Sequence, residues 1–236
     1  MPDLIRMAPD KDLHRADSES KEVWANLHAW RTLGQLRAHS AIEPLLELLH
    51  RIDGYDEDWT AEELPKVYGM IGPTAIPALA RSLADSSQGL WARVGTQRAL
   101  EEIGTCHTDS RAECVSAIAK QLERFSENDP TLNGMLIASL LDLNAVESVP
   151  VIERAFASKR VDESIASDWE DVQIDLGLKK QRTTPARSLW GRIMERGQPP
   201  QKIVPPVEPW VNDLIVQMTF KGELKPPSER KANKKK

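Results

Sequence analysis

Cysteine is nearly absent from this 236-residue chain. Cys106 and Cys114 are the only two and form no CxxC pair, so a core of the size this length allows must stand without staples. Aromatic residues make up 5%. No run approaches the ~20 apolar residues that a membrane-spanning helix needs, and Met1 to Asp17 lack the apolar stretch of a secretory leader. A cytoplasmic protein without a membrane partner is expected. Catalytic signatures are missing as well: there is no GxSxG, HExxH, P-loop or GxGxxG. Nothing in these absences favours an enzyme, and no cofactor is implied.

Charge is segregated along the chain. The net charge is −5, but Lys221 to Lys236 carries seven Lys/Arg against Glu223 and Glu229, a local +5 that leaves −10 for residues 1–220. A basic tail on an acidic body is either a solubilising end or an arm for an anionic partner such as nucleic acid. No aromatic residue is interleaved from Lys221 onward, which favours the solubilising end.

What is present is a repeat. Four segments, beginning at Ser40, Thr74, Glu113 and Glu147, align without a gap. One column reads Ile42, Ile76, Val115, Val149; a second Leu45, Leu79, Ile118, Ile152; a third Leu49, Leu83, Leu122, Phe156. The spacings of 34, 39 and 34 residues are those of stacked supersecondary units. Offsets of three and seven put all three columns on one helical stripe. An apolar helix precedes each stripe, over Val23 to Leu36, Leu64 to Ile71, Leu90 to Ile103 and Leu132 to Leu143. The expected fold is all-α: about four helical hairpins in an α-solenoid, each too apolar to stand alone.

Local signals set the expected boundaries. Thr60 with Glu63 and Ser40 with Glu43 have capping-box spacing, with Trp59 and Leu64 placed as a hydrophobic staple. Asp129-Pro130 offers an N-cap followed by an N1 proline. Pro44, Pro77 and Pro150 fall in first helical turns, where the missing N–H costs nothing.

The runs Leu-Gly-Gln-Leu…Ala-Ile-Glu-Pro-Leu-Leu and Tyr-Gly-Met-Ile-Gly-Pro-Thr-Ala-Ile-Pro-Ala-Leu resemble HEAT repeats, especially the bacterial subtype also found in phycobilin lyases. The resemblance covers about residues 20–158. It implies a solenoid whose second helices line the concave side. It also admits a bilin-handling enzyme as an alternative function. Ile103 to Val115 is longer than the matching intervals elsewhere, so Gly104 to Asp109 is expected to be an inserted, mobile loop. The stretch Asp168 to Leu178 resembles the segment that closes many bacterial HEAT-repeat proteins, some of which continue into a cysteine-rich zinc motif. With no Cys or His after Cys114, that metal site is absent. The resulting division is a flexible N-terminus over 1–19, the repeat array over 20–158, an acidic closing segment over 159–180 and a proline-rich extension with the basic tail over 181–236. In that extension, Trp210 to Phe220 is either a docked cap or a partner-binding motif.

Candidate sites are few. Cys106, His107 and Cys114 supply at most three ligands, short of the four a structural zinc site wants. Cys114 falls in the column of Ala41, Ala75 and Ser148, so packing accounts for it. Six carboxylates, from Asp162 to Asp175, surround Trp169 with no basic residue before Lys179. Trp169 is expected to plug the end of the last repeat, while Trp169, Glu170 and Asp171 form the best patch for capturing a basic peptide.

A sharper candidate comes from the columns. Five residues beyond the first column a helix has turned about 140° away from its apolar stripe; there stand Glu47, Arg81, Lys120 and Arg154, followed one turn later by Arg51, Asp85, Arg124 and Ser158. Arg51, Arg81, Lys120, Arg124 and Arg154 would form a basic stripe on an acidic body, unless Glu47–Arg51 and Arg81–Asp85 neutralise it as i,i+4 pairs. The function these residues favour is a non-enzymatic scaffold that binds a protein partner through an acidic segment.

Overall fold

A computed structural model describes residues 1–54 and 58–185. The proline-rich and basic parts of the extension beyond Pro185, including Trp210 to Phe220 and the tail, lie outside the described residues. Every regular element among those described is helical. The helices are α1 (Pro2–Met7), α2 (Lys11–His14), α3 (Ala25–Gln35), α4 (Ile42–Leu49), α5 (Asp58–Ile71), α6 (Ile76–Ala84), α7 (Leu90–Cys106), α8 (Arg111–Leu122), α9 (Pro130–Asp142), α10 (Val149–Ala157), α11 (Glu163–Ala166) and α12 (Trp169–Asp175).

Two rows emerge from the packing. In one, α3 packs on α5, α5 on α7 and α7 on α9; in the other, α4 packs on α6, α6 on α8 and α8 on α10. Helices α4, α6 and α8 also pack on α5, α7 and α9, respectively. The sequence columns explain the arrangement. Leu45, Leu79, Ile118 and Ile152 are all fully buried, each contributing about 1.5–3 kcal/mol by leaving water. Ile42, Ile76 and Val115 are buried too, as are Leu49, Leu83 and Leu122. Only the last members, Val149 and Phe156, are half-buried, because no further helix of that row follows α10 among the described residues. Trp169 covers Phe156 instead, with ring centroids 5.7 Å apart.

A short 3-10 turn precedes α4, α6, α8 and α10, at His39–Ala41, Pro73–Ala75, Thr108–Ser110 and Val146–Ser148. This turn displaces the expected capping box at Ser40: α4 starts at Ile42 with Ala41 before it and no side-chain cap. The box at Thr60 also fails, since α5 already begins at Asp58 and Thr60 is a buried residue inside it. The proposed staple partner Trp59 is exposed, whereas Leu64 is buried. Asp129 does cap α9, accepting from the Thr131 amide at 2.7 Å ahead of Pro130.

One expectation is corrected. Gly104 to Cys106 belong to α7 and Thr108–Ser110 to a 3-10 turn, so the longer interval is spent on extra helix rather than on a mobile loop. Helix α8 likewise starts at Arg111, a turn before its column residue Val115. Residues 1–19, expected to be flexible, hold α1 and α2. The Asn26 side-chain amide donates to the carbonyls of Met7, Ala8 and Asp10, and the Trp30 indole N–H donates to Ala8 at 2.8 Å. These four bonds tie α3 to the carbonyls at the end of α1 and to the N-cap of α2.

Candidate functional site

The row α4, α6, α8, α10 buries its columns against the neighbouring helices, so the positions turned away from them face out. Glu47, Arg81, Lys120, Arg154 and Ser158 are exposed; Arg51 and Arg124 are half-buried. Neither expected i,i+4 pair forms. Arg81 reaches across from α6 to Glu43 on α4 at 2.9 Å, and also donates to the Pro77 carbonyl. Asp85 turns the other way, accepting from the Ser87 amide, the Ser87 hydroxyl and Gln88. Those donors, the Ser87 hydroxyl first, hold its carboxyl down at about 2.

Arg124 forks onto Glu127, with bonds of 3.1 and 2.8 Å, and donates to the Ala84 carbonyl at the end of α6. Lys120, Arg154 and Arg51 make no ion pair among the described residues. Beside Arg154 runs a groove of about 370 Å³ between α8 and α10, floored by Ala112, Ser116, Ala119, Pro150 and Val151 and edged by Glu123 and Glu147. The small side chains of α8 open this space. The face therefore carries both signs of charge, with uncommitted cations at Lys120 and Arg154.

The acidic candidate is already occupied by the chain itself. Glu170 is buried, and its carboxylate accepts from Lys179, from the Thr183 amide and hydroxyl, and from the Thr184 amide and hydroxyl. Arg182 donates to Asp168 at 2.7 Å and to Asp171. Lys179 first, then Thr184, hold the Glu170 carboxyl far below the usual range. Burial pushes Asp168 up, but Arg182 and the amides at the start of α12 outweigh it and leave it lowered. Glu170 and Asp171 are thus a latch for Lys179 to Thr184 rather than an open mouth for a basic peptide. The first basic residues after the acidic run were the signal that could have found it.

The cysteines divide cleanly. Cys114 is buried, as are its column equivalents Ala41, Ala75 and Ser148; burial first, then Glu113, pushes its thiol up to about 12. Cys106 is exposed at the end of α7, in a groove of about 300 Å³ with Arg37, Met70 and His107. The His107 Nε2–H donates to the Gly69 carbonyl at 2.8 Å, tying α7 to α5. Among the described residues no three His, Cys, Asp or Glu side chains group as metal ligands.

Two polar clusters had no sequence signal. Gln97 donates to Ser139, whose hydroxyl donates to Glu101, across α7 and α9; burial raises the Glu101 carboxyl. Asn133 donates to the carbonyls of Phe125 and Arg160 at 2.9 and 2.7 Å, and accepts from Asn128, which in turn accepts from Gln121. Both clusters bridge helices through buried polar groups, although the Gln97 Oε1 is left without a partner. No protein-family model, no curated protein and no solved structure matches this chain.

Proposed function

We propose that the chain is a non-enzymatic, cytoplasmic adaptor: a HEAT-like α-solenoid whose α4, α6, α8, α10 row grips an acidic segment of a protein partner. The observation that supports this is the register of three cations on three successive packed helices. Arg81, Lys120 and Arg154 occupy one column position, all are exposed, and Lys120 and Arg154 have no ion pair among the described residues. A carboxylate arriving there gains two cations without breaking an existing pair. The Arg81–Glu43 pair is solvent-exposed, and such pairs are worth only ~0–1 kcal/mol, so a partner's acid can displace Glu43. The groove between α8 and α10 offers small side chains against which an extended backbone can lie.

Affinity capture from the native host, run with the wild-type chain and with the Arg81→Glu, Lys120→Glu, Arg154→Glu triple variant, tests this. The partner should be lost from the variant while its Tm stays that of the wild type. A partner retained at full yield by the triple variant contradicts the proposal.

A further inference from the structure

The first row carries a second surface, on its opposite chemistry. Near the C-terminal end of α3, a Cβ on Gly34 would lie 3.3 Å from Val67 and 3.2 Å from the Cβ of Met70, both late in α5. A Cβ on Gly69, late in α5, would lie 3.3 Å from Glu102 and 3.6 Å from Cys106, late in α7. The C-terminal ends of the three helices therefore meet side by side, the helices run parallel, and their N-terminal ends share one edge.

A tryptophan stands at each of those ends. Trp24 closes the 3-10 turn leading into α3, and Trp59 and Trp91 are the second residues of α5 and α7. They remain 43%, 43% and 48% exposed. Trp24 and Trp59 stack on one another, with centroids 4.9 Å apart and planes inclined by 23°. A pair serving only to pin α3 to α5 would have its outer faces covered; this pair offers large, rigid aromatic area to solvent, the kind that anchors binding partners.

The surrounding charge says what would bind. Glu22 lies two residues before Trp24, and Glu62 three residues after Trp59; both are exposed and without an ion pair among the described residues, as is Glu19. Against them stand the exposed Lys21 and Lys11, the latter on α2, which packs on the Glu22–Trp24 turn and carries the exposed Asp12 as well. Glu63 is already matched by Arg31 and Lys66. An indole face inside a negative field favours a cation, and a guanidinium that can lie flat on it above all.

We propose that the Trp24–Trp59 pair, extended by Trp91, is a docking edge for an arginine-bearing extended segment of another protein. The adaptor then has two faces of opposite preference. The test titrates the full chain into a fluorescein-labelled Arg-Pro repeat peptide and reads anisotropy, with Lys-Pro and Glu-Pro repeats as comparisons. Arg-Pro should bind best and Glu-Pro not at all. Trp24→Ala and Trp59→Ala should each weaken Arg-Pro binding by about tenfold. Should an alanine variant unfold, Trp24→Phe and the paired Glu22→Gln, Glu62→Gln variant take its place, each weakening binding by about threefold. Unchanged Arg-Pro affinity in folded Trp variants overturns the proposal, as does a preference for Glu-Pro. Self-association of the wild-type chain that Trp24→Ala abolishes would assign the edge to a second copy and overturn it too.

Discussion

Arg182 sets its guanidinium against Asp168, with Nη2 donating to Oδ2 at 2.7 Å while Nη1 reaches Asp171. Beside this pair, Glu170 gathers Lys179, Thr183 and Thr184. The acidic closing segment is thereby folded onto the first basic stretch that follows it. Acid should open this latch. The Glu170 carboxyl is held below its ordinary 4.5 and Asp168 below its ordinary 3.8. A depressed carboxylate stabilises the fold above its ordinary value and loses that contribution as pH falls toward its folded one. Amide exchange at Thr183 and Thr184, normalised for intrinsic rate, should accelerate as pH is lowered from about 4.5. In Glu170→Gln it should already be fast at neutral pH.

Asn133 is the keystone of the turn between α8 and α9. Asn133→Ala would orphan the carbonyls of Phe125 and Arg160 and the Asn128 amide that Asn133 now accepts. Each unpaired buried group costs about 1–3 kcal/mol. Relaxation and water recover part of this, so denaturant unfolding should show a loss of about 2–4 kcal/mol.

Helix ends give a test of opposite signs. Arg37 and Lys159 have φ of 49° and 57°, each just after a helix, and Gly177 has 71° in the same role after α12. Left-handed backbone disfavours any residue with a Cβ. Arg37→Gly and Lys159→Gly should each raise stability by about 0.5–1 kcal/mol, and Gly177→Ala should lower it by about 1 kcal/mol. Thermal melts of the three single variants decide.

The thiols provide a fourth check. An aromatic disulfide reagent at neutral pH should titrate one thiol per native chain, at Cys106, and two after unfolding, because Cys114 is buried and its thiol is pushed up to about 12. Cys106→Ser should leave the native chain unreactive.

The core was legible because burial follows a period: the columns from Ile42, Leu45 and Leu49 recur in the sequence and turn inward in the structure. Asp129-Pro130 marked α9 because its signal is local. What failed depended on distant partners. Thr60 and Glu63 look like a box start, but the helix had already begun, and Trp59 finds Trp24 rather than Leu64. Residues 1–19 show no periodicity to reveal that Asn26 and Trp30 donate to carbonyls between Met7 and Asp10. Glu170 reads as an exposed acid until Thr183 and Thr184 fold back on it. The candidate stripe was legible as positions, whereas its pairing was not: Arg81 chose Glu43 on another helix over Asp85 on its own.

The central claim, that the α4, α6, α8, α10 row receives acidic segments, is tested most directly by titrating the full chain into a fluorescein-labelled, Asp/Glu-rich peptide. The paired Lys120→Glu, Arg154→Glu variant is compared with wild type, and Trp24→Ala serves as a control on the other face. The account predicts saturable binding that the charge-reversed variant loses by about tenfold or more, that rising salt weakens, and that Trp24→Ala leaves intact. Equal affinity in the wild type and the charge-reversed variant, both folded, would contradict it.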